Sequence, residues 1–239
     1  MTAPFDPDQD LADAPRVANA PLRPRDAATL ILVRRDTPSP CVLMGRRAQG
    51  HVFMASKWVF PGGRVERTDY RAPSASELEP DQEGLLARGA RPSLARALAM
   101  AAVRETFEET GLLVASEAPP RAAAGPWRDF LGRGALPELK PLRYIARAIT
   151  PPGRSRRFDA RFFLADAEAL LNLERSEGCG ELDEIAWIEL ERTGELDLPA
   201  ITRFVLDEVR HRIERPNRPI PFVRFIRGRH SIDYLGEPD

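Results

Sequence analysis

A mixed α/β or α+β domain, with helices packed on a mixed sheet, is the fold class this sequence predicts. Three observations predict it. Short runs rich in β-branched and aromatic residues, such as AATLILVRR (27–35) and RFDARFFLA (157–165), read as strands. Two longer stretches, LARALAMAAVRETFEET (94–110) and LPAITRFVLDEVRHRI (198–213), carry strong helix formers or a helical spacing of apolar residues. Strand and helix signals are interleaved along the chain, and no internal repeat is visible.

Residues 1–26 lack a basic start leading into an apolar block, so they are expected to form a flexible tail and not a secretory leader. The strand at 27–35 is joined to CVLMGRR (41–47) by the turn-forming DTPSP, which suggests a hairpin. HVFMASKWVFPGG (51–63) ends in a Pro-Gly-Gly corner, where the backbone can turn sharply or approach a ligand closely. Residues 70–92 lose periodicity and gather Pro, Ser, Glu and Gly, so they are expected to form an irregular excursion that the core can do without. The helix that follows has Ser93 as its expected N-cap and Gly111 where a left-handed C-cap belongs. RYIARAIT (143–150), RFDARFFLA and EIAWIEL (184–190) then read as strands, and the second helix closes a domain spanning 27–215. Residues 216–239 are left as an extension packed on that domain or used at a homodimer interface.

Composition narrows the classes of function. At 239 residues, 43% hydrophobic and 30% charged, the chain suits one soluble domain with appendages, and no apolar run approaches the about 18 residues that span a bilayer. The net charge of -1 gives no bulk attraction to nucleic acid or anionic lipid. Two separated cysteines, Cys41 and Cys179, make neither a disulfide framework nor a zinc cluster and fit reduced thiols in a cytoplasmic protein. All but two of the 35 basic residues are arginine, whose planar fork grips phosphate oxygens in pairs. Genome base composition accounts for the same bias, so it does not by itself choose a ligand. The arginine-rich stretch RHRIERPNRPIPFVRFIRGRH (210–230) contains no recognised DNA- or RNA-binding module.

The densest chemistry lies in RETFEETG (104–111). Helical residues advance about 100° each, so Glu105, Glu108 and Glu109 share one face while Val103 and Phe107 project to the other. Carboxylates this close repel one another, and partial burial adds to the cost unless a cation compensates. Oxygen-only donors of high charge density suit Mg²⁺ or Mn²⁺. A solvated acidic helix face is the alternative, but such a face requires neither the preceding FPGG, nor the capping glycine, nor the apolar flanks.

The segment resembles the signature of the Nudix hydrolases, G-x5-E-x7-R-E-U-x-E-E-x-G-U with U aliphatic. Arg104 to Leu112 fill the second half, with Thr106 at the first aliphatic position. Gly63 opens the first half and places Asp69 where the family has glutamate; 34 residues (70–103), instead of seven, then separate Asp69 from Arg104. The resemblance implies an α/β/α sandwich with a central mixed sheet. It also implies hydrolysis of the phosphoanhydride in a nucleoside diphosphate linked to another group. By the same resemblance, Glu105, Glu108, Glu109 and the carbonyl of Gly62 hold the metal, Glu181 or Glu184 from ELDEIAWIELE adds an acid, and Glu105, Arg104 and Glu108 serve catalysis. FMASKWVFPGG, the split box and TPPGRSRRFDARFFLA are similar to the branch that includes coenzyme A diphosphatases, which implies coenzyme A or acyl-coenzyme A as substrate and Arg46, Arg157 and Arg161 as its ligands. A Nudix-fold protein that binds a nucleotide without cleaving it is the alternative; retention of all three acids argues against it.

Overall fold

The computed structural model describes residues 22–47, 56–171, 173, 182–226 and 229–236. In chain order the elements are β1 (Arg25–Arg34), β2 (Cys41–Arg47), β3 (Trp58–Val59), β4 (Gly62–Arg64), α1 (Pro80–Ala87), α2 (Pro92–Thr110), β5 (Ala115–Glu117), α3 (Arg128–Gly132) and β6 (Ala135–Pro137). They continue with β7 (Arg143–Ile149), β8 (Phe158–Asp166), β9 (Leu182–Glu189), α4 (Ala200–Glu214), β10 (Ile220–Ile226) and β11 (Arg229–Leu235). Among the described residues, no helix is long and apolar enough to cross a membrane.

One mixed sheet organises the chain, in the order β11-β10-β7-β8-β1-β2-β3, with β4 also paired to β1 and β9 to β2. The β1–β8 and β10–β7 pairs are parallel and the others antiparallel. Alternation of side chains along β1 assigns the two faces. Ala28, Leu30 and Leu32 join the cluster that contains Leu98, Ala102 and Val103 of α2. Ile31 and Val33 join the opposite cluster with Val205, Leu206 and Val209 of α4. The result is the expected α/β/α arrangement, and 13 of the 19 residues of α2 are buried.

The feature that builds the site is a fork in the first hairpin. β1 and β2 pair only next to their turn, at Val33↔Val42 and Arg34↔Cys41. Beyond that point β1 pairs with β4 at Ala27–Thr29, and β2 pairs with β3 at Gly45 and Arg46. The WVFPGGR segment is therefore wedged into the fork. At Gly62 there is room for nothing larger: a Cβ would sit 2.6 Å from the Ala28 carbonyl oxygen and 2.7 Å from the Thr29 Cα.

Three expectations need correction. Residues 70–92 are not an irregular excursion: they contain α1, and Ala72, Leu78 and Leu86 are buried in the α2-side core. Gln82 Oε1 also accepts the Tyr144 amide proton at 2.7 Å, supplying a partner to a buried backbone group. The N-cap of α2 is Arg91 and not Ser93, because Pro92, which lacks an amide proton and has its φ preset, takes the first helical position. The 216–239 segment is more than an appendage, since β10 adds to β7 through Phe222↔Arg147 and Val223↔Ala148 and then pairs with β11. Arginines of this region are used internally: Arg212 of α4 binds Glu208 and the carbonyls of Pro216, Arg218 and Pro219, and Arg224 of β10 binds Asp233.

Candidate active site

α2 places the acids. Its C-terminal turn ends on Gly111 at φ 75°, a left-handed conformation that glycine adopts without steric cost. Thr106, at the position of an aliphatic residue, is fully buried, and its hydroxyl donates to the Ala102 carbonyl at 2.8 Å, so the helix itself satisfies the polar atom. Glu109 is only 3% exposed, which removes the solvated acidic face as an account of these residues. The Gly62 amide donates to Glu109 Oε2 at 3.1 Å. Gly63 lies against Glu105, where a Cβ would come within 2.4 Å of the carboxyl carbon. The glycine corner and the acids of α2, with 41 residues (64–104) between Gly63 and Glu105, thus meet in space.

Arg104 fixes the geometry from below. It is buried and uses its whole donor fork. Nε and Nη2 bind Asp69 at 2.9 and 3.0 Å, Nη2 binds the Arg64 carbonyl at 2.9 Å, and Nη1 binds Glu105 at 2.8 Å and Glu108 at 3.0 Å. Burial opposes its charge, but the Asp69 hydrogen bonds and the three carboxylates outweigh burial and hold its pKa above the ordinary value. Asp69 is fully buried and also accepts from Trp127 Nε1 at 3.0 Å and from the Glu66 amide at 2.7 Å. Asp69, standing where the signature has glutamate, is therefore the anchor of the arginine that orients Glu105 and Glu108. Trp127 had no signal in the sequence, because nothing local ties it to residue 69.

Glu108 carries a pKa raised to about 7: burial is the main cause, Arg104 opposes it, and Glu105 adds to it. Among the described residues no three acidic, histidine or cysteine side chains converge as a ready metal cage. The expected convergent trio is split, since Arg104 draws one oxygen each from Glu105 and Glu108 while Glu109 turns Oε2 to the Gly62 amide. The donor set is nonetheless all oxygen, and Glu105, Glu109 and the glycine corner share one cavity of about 640 Å³. These residues fit a hard divalent cation, whose charge would offset the neighbouring carboxylates.

That cavity is otherwise cationic, lined by Arg23, Arg25, Arg47, Arg64, Arg156 and Arg157. Arg157 lines the cavity, and its guanidinium donates to the carbonyls of Thr150 and Leu22. Arg161 is elsewhere: it is 3% exposed, does not line the cavity, and is held by Asp26 at 2.6 Å and Asp159 at 3.3 Å, a structural pairing in place of a ligand contact. Arg46 likewise lies outside the cavity, in an exposed ion pair with Glu184 at 3.2 Å across the β2–β9 register. Glu181 falls outside the described residues. A larger cavity of about 1260 Å³ opens at the other end of β1 and β8, near Arg35 and Asp166, and contains none of the acids of α2.

No family model matches the chain. A nudix hydrolase of Caenorhabditis elegans is 28% identical over 179 residues, covering 69% of this chain and 51% of the relative. Acyl-coenzyme A diphosphatase NUDT19 of Gallus gallus is 29% identical over 209 residues, covering 60% of this chain and 55% of the relative. The chain thus spans about half the length of the curated relatives it matches. The crystal structure of a NUDIX hydrolase from Alicyclobacillus acidocaldarius is 30% identical with a TM-score of 0.56, covering 79% of this chain and 91% of that one. Sequence identity of this extent, together with a REXXEEXG helix seated against a glycine corner in an α/β/α sandwich, places the chain in the Nudix hydrolase family.

Proposed function

We propose that the chain is a metal-dependent pyrophosphohydrolase that cleaves the phosphoanhydride of a nucleoside diphosphate linked to another group, with coenzyme A or acyl-coenzyme A as the first substrates to test. The observation that carries this reading is the shared cavity, lined by Glu105, Glu109, the Gly62–Gly63 corner and six arginines. The likeness to an acyl-coenzyme A diphosphatase supports the choice of substrate. The sparing use of cysteine makes the cytoplasm the compartment of the same reading.

Glu105, Glu108 and Glu109, with the Gly62 carbonyl, are the proposed holders of Mg²⁺ or Mn²⁺. A divalent ion held there supplies Lewis acidity toward phosphate oxygens and water. The residues of the chain do the rest. Arginine forks bind and orient the diphosphate. Water forms the new P–O bond as the bridging P–O bond breaks, and Glu105, oriented by Arg104, accepts the proton.

Glu109→Gln deletes ligand charge at nearly constant volume, so hydrolysis with Mg²⁺ or Mn²⁺ should fall by several orders of magnitude while the melting transition is kept. Coenzyme A, acyl-coenzyme A, ADP-ribose, NADH and nucleoside triphosphates, with products identified by mass, form the assay panel. Undiminished turnover by the variant rejects the proposed site. Nucleotide binding without turnover in the wild type supports a binding-only protein.

A further inference from the structure

We propose that the cavity contains a second anion site, for a phosphomonoester carried by the substrate outside its diphosphate, formed by Arg23, Arg25 and Arg156 at the lip where β1 and β8 begin. The inference rests on the reading of the same cavity as a diphosphate site. It starts from a charge imbalance: six arginines line the cavity against the acids Glu105 and Glu109. One divalent cation would balance those two carboxylates, and a diphosphate diester brings about two negative charges for six guanidinium groups to meet.

The six divide by what already holds them. Arg64 pairs with Glu66 at 3.2 Å, Arg157 spends two donors on the carbonyls of Thr150 and Leu22, and Arg47 is also engaged. Arg23, Arg25 and Arg156 are exposed, and among the described residues no carboxylate pairs with any of the three. The nearest acid in sequence, Asp26, is taken by Arg161 at 2.6 Å.

The backbone keeps the three together. Arg25 stands opposite Phe158 in the parallel β1–β8 register, and its amide donates to the Arg157 carbonyl at 2.9 Å. Arg157 Nη1 holds the Leu22 carbonyl at 2.6 Å, which fastens the residue before Arg23 to the residue after Arg156. Three planar forks lining one cavity suit a dianionic group with three acceptor oxygens better than a monoanionic carboxylate. Arg25 stands three residues along β1 from Ala28, the partner of Gly63, so the group the lip would read is distinct from the phosphates being cleaved.

Matched pairs that differ by one phosphomonoester test this: coenzyme A against 3′-dephospho-coenzyme A, and NADPH against NADH. In the wild type, kcat/KM should favour the phosphorylated member by at least about tenfold, mainly through KM, and R23Q/R25Q/R156Q should bring that ratio close to one. A wild-type ratio near one, or a preference unchanged in the triple variant, overturns the proposal. Because the hydrolytic reading itself can fail, calorimetry with adenosine 3′,5′-bisphosphate against 5′-AMP decides binding without turnover, with at least about tenfold tighter binding of the bisphosphate expected in the wild type and not in the variant. Equal affinities overturn the proposal whatever the enzyme hydrolyses. Inorganic phosphate that displaces the bisphosphate at equal concentration would reveal a site for free phosphate and would overturn it as well.

Discussion

Asp69→Asn is expected to destabilise the protein strongly, even though it changes one atom. The Asp69 carboxylate is fully buried and accepts two bonds at each oxygen: Arg104 Nε and Trp127 Nε1 at Oδ1, and Arg104 Nη2 and the Glu66 amide at Oδ2. An asparagine amide has only one acceptor. Whichever way it is flipped, its NH₂ group faces two N–H donors, and Arg104, 2% exposed, loses its principal counter-charge. Breaking a buried pair by removing one charge costs about 3–5 kcal/mol. That is a large share of a typical folding stability of about 5–15 kcal/mol. With a urea m value of about 2–3 kcal/mol per M, the midpoint should fall by roughly 1–2.5 M. Trp127→Phe removes one donor and leaves the charge three others, so it should cost less, about 1–2 kcal/mol. A loss below about 1 kcal/mol for Asp69→Asn, measured by urea unfolding at pH 7, would refute the assignment of Asp69 as the anchor of Arg104.

The two glycines of the corner should separate fold from function. In Gly63→Ala the new methyl meets the movable end of Glu105 at 2.4 Å, so the melting temperature should hold while turnover collapses; in Gly62→Ala it meets the β1 backbone at 2.6 Å, so stability should fall by about 1–3 kcal/mol or more. Leu86→Ala, at a residue 3% exposed, should cost about 2–5 kcal/mol in denaturant unfolding, and a loss under about 1 kcal/mol would restore the view that 70–92 lies outside the core. Glu108 sets a pH dependence in metal-free protein. Its pKa of about 7, against an ordinary 4.5, means the folded state binds more protons than the unfolded state between those values. Stability should therefore fall as pH rises from 5 to 7.5, by on the order of 1–2 kcal/mol once its partial exposure is allowed for. Glu108→Gln should flatten that slope in melting curves, and an unchanged slope would remove Glu108 as its source.

The legible parts of this chain are those whose cause is local. Gly111 and the run of helix formers before it fixed α2 because capping and propensity act within a few residues. The acids on one face followed from the same periodicity. α1 escaped notice because PDQEGLLA shows no apolar stripe; it is held by Leu86 and by the glutamine that meets the Tyr144 amide, contacts that only the folded chain creates. β10 and β11 were obscured by arginines that read as a basic tail until Glu208, Asp233 and backbone carbonyls appear as their partners.

The same distinction governs the site. Arg157 and Arg161 lie four residues apart in one strand region with the same chemistry, yet Asp26, 135 residues before Arg161, makes Arg161 structural, while Arg157 stays at the cavity. An arginine's role is decided by whether an acid elsewhere in the fold has already claimed its charge. Sequence shows where arginines are plentiful; only tertiary pairing shows which remain available to an anion. At the lip that accounting leaves Arg23, Arg25 and Arg156, residues no box motif points to, as the positions where substrate choice is open to measurement.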